Sequence, residues 1–346
     1  MSKKIVLGKR ETLFTSDESM NFPRYFQSRS GRRELSFSQG FHGLTERELS
    51  ARSDDGGKTW VLTRGKRPNM TVEFDDGTQV VIGHGMYPNV YSTDPEYYGN
   101  PRAWVMTTLH STDDGETWEK NLFHIVFPFV LEICYLETGA TLLPDGTLMQ
   151  VCMGREEGDE NKASMVIASE DQGRTWEYRG TSGPPKSYRD RLGFGETGIV
   201  YHPPSKRMVT LYRPGPVQGP LYGARSDDLG YTWCDPEIIW DEWFDYVTPS
   251  MLCLEDGTLI ATYGSRRENL AGRGPMPSSA WVMHSEDGGL TWEEPVCVWH
   301  GPSCVNNRMW FDGGQCFRVF YSESGFCHFE PRRKDNAVCS VEAEVK

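Results

Sequence analysis

The chain has 346 residues, a formal net charge of −13, 12% aromatic residues, 36 glycines and 21 prolines. Such an acidic balance argues against nucleic acid as the main partner, because phosphate binding draws on a basic surface. Abundant Gly, Pro, Trp and Tyr favour short strands joined by tight turns over long helices, and no run approaches the ~18 apolar residues of a membrane span.

From the N-terminus, "KKIVLGKRETLF" reads as a strand whose apolar run is too short for a signal-peptide core. The nine cysteines are scattered without a C-x-x-C pair, which fits thiols in a reducing compartment better than a zinc ribbon or a disulfide framework. These features predict a cytoplasmic protein with no membrane partner. One motif then returns along the chain: SDDGGKTW at 53–60, STDDGETW at 111–118, SEDQGRTW at 169–176, SDDLGYTW at 226–233 and SEDGGLTW at 285–292. Its tryptophans, Trp60, Trp118, Trp176, Trp233 and Trp292, are 58, 58, 57 and 59 residues apart. So regular a spacing signals stacked supersecondary units.

Within the third unit, "GATLLP", a turn at Asp145-Gly146-Thr147, "LMQVCMG", "ASMVIAS", the box and "TWEYRG" follow one another. The turn recurs at Asp76-Gly77-Thr78 and Asp256-Gly257-Thr258. Four strands per unit, and room for six units, predict an all-β chain: a six-bladed β-propeller of four-stranded antiparallel blades, forming one domain over 1–346. The sixth unit lacks a box, and the N-terminal strand is expected to complete it.

Five S-x-D-x-G-x-T-W boxes at blade spacing resemble the Asp boxes of the sialidase (neuraminidase) superfamily, and the resemblance covers nearly the whole chain. A catalytic acid is seldom needed five times, so Asp55, Asp113, Asp171, Asp228 and Asp287 read as structural. Each Asp is expected to accept backbone N–H bonds, with the Gly permitting the turn and the Trp packing where the fourth strand begins. Boxes and DGT turns share one face of such a blade. Function is expected on the other face, with its longer loops.

Strand ends that reach this second face carry polar residues in every unit. They are Arg24 and His42, then His84, then Glu137 and Arg155, then Glu196 and Arg213. Asp245, Tyr246, Arg266 and Arg267 follow, and then Arg308, Tyr321 and Glu323. Arginines gathered there in an acidic protein point to a local anion site, since guanidinium binds carboxylate through paired hydrogen bonds. The resemblance implies an arginine triad on a sugar carboxylate, for which Arg24, Arg213 and either Arg266 or Arg308 are the candidates. It also implies a Glu-activated tyrosine nucleophile and a loop acid. Glu196 fits the first role, Tyr246 or Tyr321 the second, and His42 or Glu46 the third. The loop "FHGLTEREL" holds no Asp, and "VNNRMWF" holds no Tyr, so the sequence departs from the family pattern at both places.

Three functions follow from these residues. The first is an exo-glycoside hydrolase that removes a terminal carboxylate-bearing sugar from a glycan. The second is a propeller lyase that acts beside a uronate with His, Tyr and Arg. The third is a carbohydrate-binding propeller without catalysis. None calls for a cofactor, and the histidines have no regular metal-ligand spacing.

Overall fold

The computed structural model describes residues 2–40, 47–63, 71–88, 97–184, 193–215, 219–266, 278–301, 306–324 and 336–346. Side chains at 63, 84, 85, 137, 138 and 243 are outside this description. His42, Glu46 and Arg267 likewise lie outside the described residues. Two compact units result, one comprising Met1–Arg67, Gln218–Pro220 and Asp241–Lys346, the other Pro68–Val217 and Leu221–Trp240.

In the first unit, β1 (Ile5–Ser16) is followed by β2 (Met20–Gln27), β3 (Arg33–Gln39), β4 (Arg47–Ser53) and β5 (Val61–Thr63), and β2 to β5 form an antiparallel meander. In the second unit, one meander holds β6 (Thr71–Glu73), β7 (Gln79–Pro88), β8 (Ala103–Ser111) and β9 (Glu119–Val126). The next holds β10 (Leu131–Leu142), β11 (Leu148–Glu156), β12 (Ala163–Ser169) and β13 (Glu177–Gly183). A seven-stranded sheet has the order β14 (Gly193–His202), β15 (Arg207–Gly215), β16 (Gly219–Ser226), β17 (Glu237–Cys253), β18 (Leu259–Arg266), β19 (Ser278–Ser285) and β20 (Val296–Gly301), of which β14 and β15 belong to the second unit and β18 to β20 to the first. The first unit ends with β21 (Arg308–Gly313), β22 (Cys316–Glu323) and β23 (Asn336–Val345).

The chain is all-β with a propeller-like repetition of sheets. As the sequence predicted, β1 pairs with β23 and completes a sheet of order β1-β23-β22-β21. Among the described residues the strands form four four-stranded sheets and one of seven strands, rather than six separate four-stranded sheets. The cause is β17, whose 17 residues EIIWDEWFDYVTPSMLC form one strand that pairs with both β16 and β18.

Strand interiors supply the cores, as the period-2 pattern requires. In the second unit Val80, Ile82, Met106, Leu148, Met165 and Ile167 are buried together with Trp176 of the third box. In the first unit Met20, Leu35, Phe37, Phe320 and Val338 form one core, and Ile260, Val282, Phe317 and Val319 belong to another.

Each box is a hydrogen-bonded knot between the third and fourth strands of its unit. In the third, Asp171 accepts from the Ser169 hydroxyl at 2.9 Å, the Arg174 and Thr175 amides at 3.1 and 2.8 Å, and the Thr175 hydroxyl at 2.7 Å. Gly173, at φ +82°, donates its N–H to Ser169 Oγ at 2.7 Å, and the Trp176 indole donates to the Gly173 carbonyl at 3.1 Å. That backbone angle suits glycine because it has no Cβ. The box also grips the neighbouring sheet, since Thr108 of β8 donates to Gly173 O at 3.0 Å and His110 Nε2 lies 2.9 Å from Gln172 O.

Candidate active site

The sheets share an irregularity that bears on function. Antiparallel register breaks between Asn21 and Arg24 in β2, Ile82 and Met86 in β7, Leu136 and Ala140 in β10, Phe194 and Thr197 in β14, and Val247 and Ser250 in β17. A bulge leaves extra residues unpaired and re-aims their side chains, which is why bulges recur beside active sites. In β14 the bulge lies at one end, whereas the turn to β15 (His202 paired with Arg207) and the box beginning at Ser226 lie at the other. Within that sheet, bulge and box therefore occupy opposite ends.

Many of the sequence-selected polar residues fall in or beside these bulges. His84, Glu137 and Glu196 lie inside them, Arg24 is the first paired residue after the β2 bulge, and Arg213 lies opposite the β14 bulge. Backbone angles mark two of the bulges as strained: Phe22 has φ +54° and Thr248 φ +42°. Left-handed angles cost such side chains ~1–3 kcal/mol and cluster at functional positions. Thr248 is held there by a hydrogen bond from its hydroxyl to Asn306 Oδ1.

In the second unit, Arg213 Nη1 donates to Glu196 Oε1 at 2.9 Å, with about 30% and 26% of the two side chains exposed. The pair is neither buried in the core nor fully solvated. It places a carboxylate acceptor and a forked cation at one spot, the components for orienting a hydroxyl or water and holding an anionic group. Arg155 instead pairs with Glu132 at 2.7 Å on more exposed surface, and is a rim ion pair.

The first unit carries the remaining arginines. Arg266 lies 3.7 Å from Asp245, its register partner across β17 and β18. Arg308 donates to the Asn307 carbonyl at 2.7 Å, and Asn307 donates through its amide to Tyr263 O at 3.1 Å, fixing the start of β21 against β18. Arg24 precedes Tyr25, whose ring contacts Trp310 of β21 at 5.4 Å between centroids. The structure thus brings Glu196 to Arg213 and Asp245 to Arg266.

The structure places both candidate tyrosines in the interior. Tyr246 is 0% exposed, donates its hydroxyl to the Glu242 carbonyl at 2.8 Å, and packs edge-on to Tyr263. Burial, with the carboxylates of Glu242 and Asp241 nearby, raises its pKa well above the ordinary tyrosine value. Tyr321 is equally buried and accepts from Arg10 Nε at 2.9 Å. Both are buried inside the sheets, and alternation in a strand does not distinguish a buried tyrosine from a presented one. Sequence reasoning missed Glu132, Asn306 and the bulges themselves. Their signal was present: Pro23, Gly83, Gly139, Gly195 and Pro249 each interrupt a strand, where Gly or Pro marks a bulge.

Residues 91–330 match the BNR repeat-like domain, and the chain belongs to that family. No curated protein matches the sequence. Among solved structures, a protein of unknown function from Dyadobacter fermentans is similar at TM-score 0.70 and 16% identity, with 99% of each chain covered. A Trypanosoma rangeli sialidase is similar at TM-score 0.61 and 12% identity over 94% of this chain, which spans only 55% of that protein. A Penicillium chrysogenum alpha-L-arabinanase, complexed with arabinobiose, is similar at TM-score 0.61 and 14% identity over 97% of this chain and 98% of its own. At these identities the likeness establishes a shared fold, one also used by glycoside hydrolases.

Proposed function

We propose that the chain is a sialidase-like exo-glycoside hydrolase that removes a terminal carboxylate-bearing sugar, sialic acid or a relative, from glycans. The observation that carries this reading is the Glu196–Arg213 pair, set in a strand bulge at the end of its sheet away from the box. The family and the sialidase fold likeness support it. In this reading the guanidinium holds the sugar carboxylate in paired hydrogen bonds. Glu196 accepts the proton of the group that attacks the anomeric carbon, while the glycosidic oxygen leaves with a proton from an acid. Arg24, Arg266 and Arg308 are the further candidates for carboxylate binding.

We also read the five sheets as six blades of one domain over 1–346, with β17 ending one blade and beginning the next; the repeat spacing supports this count. The seven described cysteines that are thiols fit a cytoplasmic setting. The test is release of the aromatic alcohol from a chromogenic α-sialoside by wild type and Glu196→Gln. Turnover by the wild type with a loss of at least ~100-fold in the variant supports the reading. Equal rates would remove Glu196 from the mechanism.

A further inference from the structure

The first box departs from the pattern of the third, and the departure opens a groove inside the first unit. Where Trp176 donates to its own box glycine, the buried Trp60 Nε1 has no hydrogen-bond partner among the described residues. Where Thr108 of the adjoining sheet donates to Gly173 O, the hydroxyl of Ser340 on β23 is 0% exposed and without such a partner. Arg33 has moved into the gap. Its Nη1 donates to Gly56 O at 2.6 Å and lies 2.9 Å from where a Cβ on Gly57 would stand, leaving its buried Nε unpartnered.

The result is a groove of about 360 Å³ between the box and the sheet of β1 and β21–β23, with Trp60, Tyr25, Arg33, Ser340 and Glu342 among its walls. A second groove of about 500 Å³ adjoins it, sharing Arg33, Arg318 and Glu342 and adding Trp310 and Asp312. Arg318 is neutralised by Glu342 at 3.0 Å and by Glu11 and Asp312 at 3.4 Å each. The lining is therefore balanced in charge, which disfavours an ion. It combines ring faces with donors and acceptors that a polyhydroxylated ligand satisfies together.

We propose that this seam is a second binding site, for a neutral oligosaccharide. In the β2–β5 sheet it lies at the box end, away from the bulge beside Arg24, and it does not depend on the hydrolase reading.

The test titrates the full chain with maltotriose, cellotriose, xylotriose and arabinotriose by calorimetry, and repeats it with Trp60→Phe, Ser340→Ala, Arg33→Met and Arg213→Ala, each confirmed folded by circular dichroism. Binding of at least one neutral trisaccharide, weakened about tenfold or more by Trp60→Phe or Ser340→Ala and unchanged by Arg213→Ala, is expected. Sialoside turnover by Ser340→Ala should match the wild type, so the two sites fail separately. No binding at millimolar sugar, binding indifferent to all three groove variants, or tighter binding of a uronate trisaccharide run alongside would overturn the proposal.

Discussion

Glu196 Oε1 accepts from Arg213 Nη1 at 2.9 Å across a bulge in which two residues of β14 oppose one of β15. Regular pairing would have committed both side chains to the alternation of the sheet. The bulge sets them against each other at the strand end, half-exposed, where a solute can reach them.

Replacing Arg213 tests what the pair is for. A partly exposed ion pair contributes ~1 kcal/mol or less to stability, so Arg213→Ala should melt within a few degrees of wild type while kcat/KM falls at least ~100-fold. Arg213→Lys should recover only part of the loss, since an ammonium lacks the guanidinium fork. Melting curves and initial rates on one sialoside give both readings.

Tyr246→Phe addresses the tyrosine directly. It removes the hydrogen bond to the Glu242 carbonyl and should cost ~1 kcal/mol of stability, with kcat unchanged. A collapse of kcat in a folded Tyr246→Phe protein would restore Tyr246 as a reacting group.

The box carboxylates should dominate acid stability. The Thr117 hydroxyl and amide hold Asp113 at about 2, below its ordinary carboxylate range. Burial opposes the same effect at Asp171, where the Thr175 hydroxyl and amide still win and lower the pKa. A folded pKa below the unfolded value means stability that is complete above ~4 and lost as pH falls through the folded pKa. The melting temperature should therefore drop between about pH 4 and 2, and Asp113→Asn should flatten that drop.

Asp171→Ala removes four hydrogen bonds from one knot. A loss of ~2–4 kcal/mol in urea unfolding is expected, with activity per folded molecule retained. A folded variant with lost turnover would make the box more than structural.

Gly180 shows how closely one box is seated: a Cβ there would collide with the Gly230 carbonyl of the fourth box. Gly180→Ala should destabilise by ~1–3 kcal/mol, measured by the same unfolding curves.

Much of this was legible in the sequence. The tryptophan spacing announced the repeat, because a unit that cannot bury its own face must recur to be stable. The D-G-T triplets became Asx-type turns, with the Thr78 and Thr147 amides donating to Asp76 and Asp145 at 2.9 Å each. The DGT and box patterns are local hydrogen-bond chemistry, which a sequence carries on its face. What depended on register was hidden. Pro249 in "FDYVTPS" marks a bulge, but nothing there shows that the shift leaves Tyr246 among Phe244 and Tyr263. The continuity of β17 was hidden for the same reason, since its mixture of apolar and acidic residues is compatible with one strand or two.

The most direct measurement is mass spectrometry of the products from sialylated, uronate-containing and arabinose oligosaccharides. A released acidic monosaccharide and a shortened glycan whose masses sum to substrate plus one water are expected. Products that sum to the substrate alone, with an unsaturated uronate, would contradict hydrolysis in favour of elimination. Cleavage of only the neutral arabinose chain would contradict the assignment of an anionic sugar.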